Sequence, residues 1–166
     1  GYRSLKTAVT SLSNTAIGAL ALCTNTGGNN TAIGANAMEC NTSGGDNTAV
    51  GKQANFKNTT GADNSSLGTL ALKCNTTGSY NVAVGRDSLA ANTTGTNNVA
   101  VGKDALKTNV SGEQNVAIGV CALNANTGYN NVAVGYQALD ANIGGDSNVA
   151  VGLHSLLLNT TGNYNV

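Results

Sequence analysis

Hydrophobic residues recur along this chain in short alternating runs rather than long stretches. Asn-Thr-Ala-Ile-Gly at 30–34 and Asn-Val-Ala-Val-Gly at 98–102 are two copies of one such run. The branched residues fall at alternate positions, which predicts a strand of about four residues. Between the runs lies a second apolar pair, Ala-Leu, set among polar residues, as at Ala105-Leu106 and Ala122-Leu123. Ala and Leu are weak strand formers, so this segment suits either one helical turn or a short second strand. A second short strand or an irregular turn is the favoured expectation.

The pattern is a repeat. Glycines at 1, 18, 34, 51, 68, 85, 102, 119, 135 and 152 stand 16 or 17 residues apart. The unit reads G-x-x-A-L-x-x-N-T-T-G-x-x-N-V-A-V. The two short units lose a residue at the same N-T-T-G corner, at Asn25-Thr26-Gly27 and Asn126-Thr127-Gly128. An indel confined to one corner marks a surface turn, with everything else held in register. The first unit is degenerate at this corner, where Ala8-Val9-Thr10-Ser11 stands.

A period of this length suits one turn of a solenoid. The predicted fold is an all-β parallel solenoid, a β-roll of about ten coils over residues 1–166, forming a single module within a longer fibre. Parallel rungs about 4.8 Å apart would give a rod roughly 45–50 Å long. The strand-ending Gly marks a corner that needs positive φ or close backbone approach. The N-T-T-G corner is a second turn, carried by residues that tolerate left-handed backbone.

Each column then has a predicted role. The branched residue at the end of the strand, as in Ile17, Ile33, Val50 and Val84, is expected to face inward. The charged residues occupy x slots, so charges face water. Asn precedes the strand in every unit. Asn30, Asn47, Asn81, Asn98, Asn115 and Asn148 are expected to form a structural ladder, each bonding to its neighbour one rung away. The Ala before the final aliphatic, at Ala32, Ala49, Ala83, Ala100, Ala117, Ala133 and Ala150, would then point outward as a small apolar stripe for inter-chain packing. The residue after the strand Asn is Thr or Ser in early units (Thr15, Thr31, Thr48, Ser65) and Val from Val82 onward. If that column faces inward, the core becomes drier toward the C-terminal half, which would unfold last.

Composition narrows the function classes. Asn, Thr and Gly number 26, 20 and 22, proline is absent, and the aromatics are five Tyr and one Phe. An ordinary globular core would be hard to fill from this set, so the core must depend on neighbouring coils. Eight basic and eight acidic residues balance to zero. That balance gives no electrostatic footprint for nucleic acid or an anionic membrane. No apolar run is long enough to insert in a membrane.

The N-[TV]-A-[VI]-G pattern resembles the head repeats of trimeric autotransporter adhesins. The longer form, with G-x-x-A-L-x-x-N-T-T-G between strands, is closer to repeats in the shafts of phage and giant-virus fibre proteins. The resemblance covers nearly the whole chain. It implies a left-handed parallel β-roll, three chains side by side on a cell or virion surface, used for attachment. It carries over no catalytic residues.

Other candidate chemistry is thin. Cys23 and Cys40 lie on successive coils and could form a disulfide, although four thiols is the preferred reading. Cys40 and Cys74 are two rungs apart, too far to bridge. No C-x-x-C spacing occurs, and the single His154 sits in an x slot, which argues against zinc. The corner supplies N-x-[ST] sequons at Asn41, Asn58, Asn75, Asn92, Asn109 and Asn159, candidate glycosylation sites on an exposed turn. Tyr80, Tyr129, Tyr136 and Tyr164 occupy x slots and are candidate surface contacts. No nucleophile–base pair assembles, so no enzyme and no cofactor are expected.

The leading functional expectation is a structural and adhesive fibre module, extracellular or on a cell or virion surface. Its partners would be copies of itself, as a homotrimer or a head-to-tail polymer. A host or cell-surface receptor, a glycan among the candidates, would be the target of repeated weak contacts. Two alternatives stand beside it. One is a filament subunit stacking end to end through open strand edges. The other is an ice-binding solenoid, for which Thr42, Thr59, Thr76, Thr93 and Thr160 form the best array.

Overall fold

The computed structural model describes residues 1–6 and 13–166. The degenerate corner at 8–11 lies outside the described residues. Among the described residues the chain forms an all-parallel solenoid of nine three-residue strands with no helix. The strands are β1 (Thr15–Ile17), β2 (Thr31–Ile33), β3 (Thr48–Val50), β4 (Ser65–Leu67), β5 (Val82–Val84), β6 (Val99–Val101), β7 (Val116–Ile118), β8 (Val132–Val134) and β9 (Val149–Val151). They stack in sequence order into one sheet, β1 to β9, without crossovers. Pairing is in strict register, so Val99 faces Val116 and Ala100 faces Ala117. The same unit thus repeats at the same place in every coil, as the period predicts.

The rest of each coil is turn, yet its backbone remains laddered. In the coil that starts at Gly102, the amides of Gly102 and Asp104 donate back to Val84 and Arg86 at 2.7 and 3.0 Å. Those of Leu106 and Thr108 donate forward to Ala122 and Asn124, both at 3.0 Å. Gln114 turns back to Thr96 at 3.1 Å, and Val116 forward to Asn131 at 2.8 Å. A buried backbone must place its polar groups somewhere, and here the neighbouring coils take them on every side. The Ala-Leu segment is therefore an irregular turn, neither a helical turn nor a second strand.

That turn has a signature. The residue two before the Ala-Leu Leu, the Leu itself, and the residue before the strand Asn all adopt left-handed backbone. In one coil these are Asp104 (φ 59°), Leu106 (φ 49°) and Gln114 (φ 58°). Left-handed backbone is disfavoured for L-residues and worst for β-branched ones. Although the chain is rich in Thr and Val, none of these positions carries Val, Ile or Thr.

The core corrects the predicted facing of the strand. Ala32, Ala49, Ala83, Ala100, Ala117, Ala133 and Ala150 point inward and are buried, so they form no outward stripe. Ala83, Ala100 and Ala117 pack in one cluster with Leu89, Leu106 and Leu123. The branched residues on either side point outward instead: Ile17 is 58% exposed and Val151 69%. Because strand side chains alternate, placing Ala inside puts both of its neighbours outside. A coil this small is narrow across, and a methyl facing a Leu fills it. The Thr-to-Val trend thus describes the outer face, and the expectation of a drier C-terminal core falls with it.

The remaining interior is asparagine. Both Asn columns are buried from Asn25 to Asn148. Asn115 donates its backbone N–H and its Nδ2 to Asn98 Oδ1 at 3.0 and 3.2 Å, and Nδ2 also reaches Gly128 O at 2.9 Å. Asn98 does the same toward Asn81 and Gly112. In the second column, Asn75 and Asn92 each donate to the Asn one rung earlier at 2.9 Å, and to the corner glycine carbonyl of their own coil. Each amide thereby satisfies turn groups that no strand can reach. Glycine is needed at both corners. A Cβ on Gly102 (φ 137°) would lie 2.4 Å from the Gly119 carbonyl oxygen, and one on Gly95 2.4 Å from that of Gly112.

Candidate functional site

The outer face of the sheet is uncovered. From β5 onward each strand presents two branched aliphatics to the outside: Val82 and Val84, Val99 and Val101, Val116 and Ile118, Val132 and Val134, Val149 and Val151. All ten are half-buried or exposed, whereas the Ala between each pair is buried. In β1 to β4 the first of the two is Thr15, Thr31, Thr48 or Ser65, which makes that end of the face more polar. The apolar face is thus concentrated on β5 to β9. The sequence carries both columns plainly, but strand alternation alone does not say which of Ala and Val lies inside.

The predicted contact tyrosines do reach solvent: Tyr80, Tyr129, Tyr136 and Tyr164 are all exposed. They do not form one patch. Tyr80 and Tyr164 precede the strand Asn on distant coils, and Tyr129 sits one position earlier on a third. Tyr136 lies beside the strand-ending glycine, where its ring packs against His154 with centroids 5.6 Å apart. His154 is itself exposed.

The glycosylation expectation is corrected. Asn41, Asn58, Asn75, Asn92 and Asn109 are buried, and their Nδ2 atoms are spent within the ladder. The corner is a surface turn, but its Asn points into the rod while the threonines after it face out. Asn159 is only half-buried, yet its Nδ2 donates to Asn142 at 2.7 Å and to Gly162 at 3.0 Å. Attaching a glycan to any of these nitrogens would require breaking the ladder.

Cys23 and Cys40 stand as half-buried thiols with no disulfide between them. Burial pushes the Cys40 thiol above its ordinary value, and the nearby Glu39 carboxylate adds to this. Cys121 is raised likewise, first by burial and then by the Asp140 and Asp104 carboxylates. Raised thiols are poor nucleophiles at neutral pH.

Not every charge faces water. Asp104 is buried, 8% exposed, and is gripped by Lys103 at 2.9 Å and Lys107 at 3.0 Å. Burial pushes its carboxyl up, but the hydrogen bonds from the two ammonium groups outweigh it, so Asp104 titrates below the usual range. One coil away, the small residues Ala90 and Ala91 open a shallow notch of about 290 Å³. Lys73 and Cys74 bound it on one side and Lys107 and Thr108 on the other. Among the described residues, no group of three His, Cys, Asp or Glu could hold a metal, and no helix is long and apolar enough to cross a membrane.

The threonines of the corner bear on the ice-binding alternative. Thr42, Thr59, Thr76 and Thr93 each donate their hydroxyl to the next coil's corner carbonyl, at 2.8 to 3.1 Å. Their protons run along the rod rather than out from it. Compared with family models, curated proteins and solved structures, the chain finds no match.

Proposed function

We propose that this chain is a structural and adhesive fibre module, a rigid rod on a cell or virion surface used for attachment. Copies of the chain pack side by side as a trimer through the outer face of β5 to β9. The observation that supports this is the two-column aliphatic face on an all-parallel sheet. Parallel sheets are normally covered on both faces, and a contiguous exposed apolar patch of this kind marks an interaction site. The inner face is covered by the coil's own Leu and Ala. The outer one lies open to a second copy of the chain.

The corners and the tyrosines remain free on the outside of such an assembly. The corners repeat along the rod at fixed spacing and the tyrosines add contacts on scattered coils, which supports avidity for a surface receptor or glycan. The ice-binding reading is disfavoured by the axial direction of the Thr hydroxyls.

The test is attachment. Beads coated with the purified chain should be retained on cells or on a glycan array above beads coated with an unrelated protein. Replacing Tyr80, Tyr129 and Tyr164 with Ser should reduce retention without changing the circular dichroism. Retention no greater than the control on every surface tried would overturn the adhesive role.

A further inference from the structure

Two interior columns keep their chemistry along the rod, and both break in the same coil. The Leu column reads Leu22, Met38, Asn55, Leu72, Leu89, and the strand Ala column reads Ala32, Ala49, Ser66, Ala83. Asn55 and Ser66 belong to the coil that starts at Gly51. Both are buried, at 0% and 2% exposure. The apolar core divides at this point, one cluster ending at Ala54 and the other beginning at Ala71.

The hydrogen-bond accounting at this rung is incomplete. Neither Nδ2 nor Oδ1 of Asn55 has a hydrogen-bond partner, although both atoms are fully buried. Ser66 Oγ donates to Thr48 O at 3.2 Å, which leaves its lone pairs free to accept. Leaving a buried amide unpaired is expensive, and native proteins answer it with a partner or an ordered water. Asn has the branched skeleton of Leu but a smaller volume than the Leu or Met of the neighbouring rungs, which leaves room. A water occupies about 30 Å³ in the liquid and needs two or more polar partners. The left-handed backbone at Asn55 (φ 48°) suits Asn, but the backbone alone explains neither Ser66 nor the unpaired amide.

We propose that the coil starting at Gly51 encloses an internal water site, in which an ordered water bridges the Asn55 side-chain amide and the Ser66 hydroxyl. The water accepts from Asn55 Nδ2 and donates to Ser66 Oγ. It makes a hydrated rung between two dry cores.

Two measurements test this. A high-resolution crystal structure should show one water within hydrogen-bond distance of both Asn55 and Ser66. In solution, the Asn55 side-chain amide protons should show a nuclear Overhauser effect to water, while the ladder amide of Asn75 shows none. Ser66→Ala should weaken or abolish that cross-peak without changing the fold by circular dichroism. A direct Asn55–Ser66 hydrogen bond, or side chains closed around Asn55 with no solvent density and no water cross-peak, would overturn the proposal.

Discussion

Replacing Asn98 with Ala should destabilise the rod far more than any surface change, and the ladder gives the size of the effect. The substitution removes four side-chain hydrogen bonds: Asn98 Nδ2 to Asn81 Oδ1 and to Gly112 O, and Asn98 Oδ1 from the N–H and Nδ2 of Asn115. Three of the four partners keep another bond. Asn81 Oδ1 still accepts from the Asn98 backbone N–H, Gly112 O from Asn109, and Asn115 Nδ2 still donates to Gly128. The Asn115 backbone N–H alone is orphaned. An orphaned buried donor costs about 1–3 kcal/mol, and the weakened sites together add about 1–2 kcal/mol. The expected loss is therefore about 3–5 kcal/mol once the small void is included. Urea unfolding followed by circular dichroism measures it, with the exposed corner substitution Thr94→Ala as a control expected within about 0.5 kcal/mol. A loss below about 1 kcal/mol at unchanged denaturant slope would refute the claim that these amides hold the coils together. Asn98→Asp adds a pH signature. Burial raises the folded-state pKa of the new carboxyl above its unfolded value, so the variant is most stable at low pH. That stability is then lost as pH rises through the folded pKa.

Three further outcomes follow from the same geometry. Gly102→Ala sets a Cβ 2.4 Å from the Gly119 carbonyl oxygen at φ 137°, and should abolish the cooperative unfolding transition or lower its midpoint severely. Leu106→Val places a β-branched side chain on left-handed backbone at φ 49° in the core. It should cost more than Leu106→Met, by about 1–2 kcal/mol in parallel denaturation curves. Asp104 titrates below the ordinary carboxylate range, so its contribution to stability is present above its unfolded pKa and is lost as pH falls through the lower folded value. A pH series of melting curves should therefore show a smaller acid loss for Asp104→Asn than for the unsubstituted chain.

Much of this fold was legible in the sequence, because a solenoid repeats its constraints. The glycine spacing gave the coil, the deletions at Asn25–Gly27 and Asn126–Gly128 located a surface corner, and the Val-Ala-Val runs located the strands. The facing of those strands was harder. Val is buried more often than exposed in globular proteins, and Ala fits either side. The alternation in Val99-Ala100-Val101 is equally consistent with either face being inside. A less obvious signal was present: the columns of Asp104, Leu106 and Gln114 never hold Val, Ile or Thr, although the chain is rich in them. Such an exclusion marks left-handed backbone, and it argues for a turn at the Ala-Leu segment. The sequons misled for a related reason. Asn-Thr-Thr reads as an exposed acceptor, but the strict Asn column was the mark of a buried ladder, and only its threonines reach solvent.

The central claim is that the branched face of β5 to β9 is covered by other copies of the same chain. Light scattering of the purified protein coupled to size exclusion tests it directly. The account predicts a mass of three times the 16.5 kDa chain. Val99→Glu with Val101→Glu should reduce that mass to a single chain while leaving the circular dichroism unchanged. A monomer for the unsubstituted protein at every concentration would contradict the account.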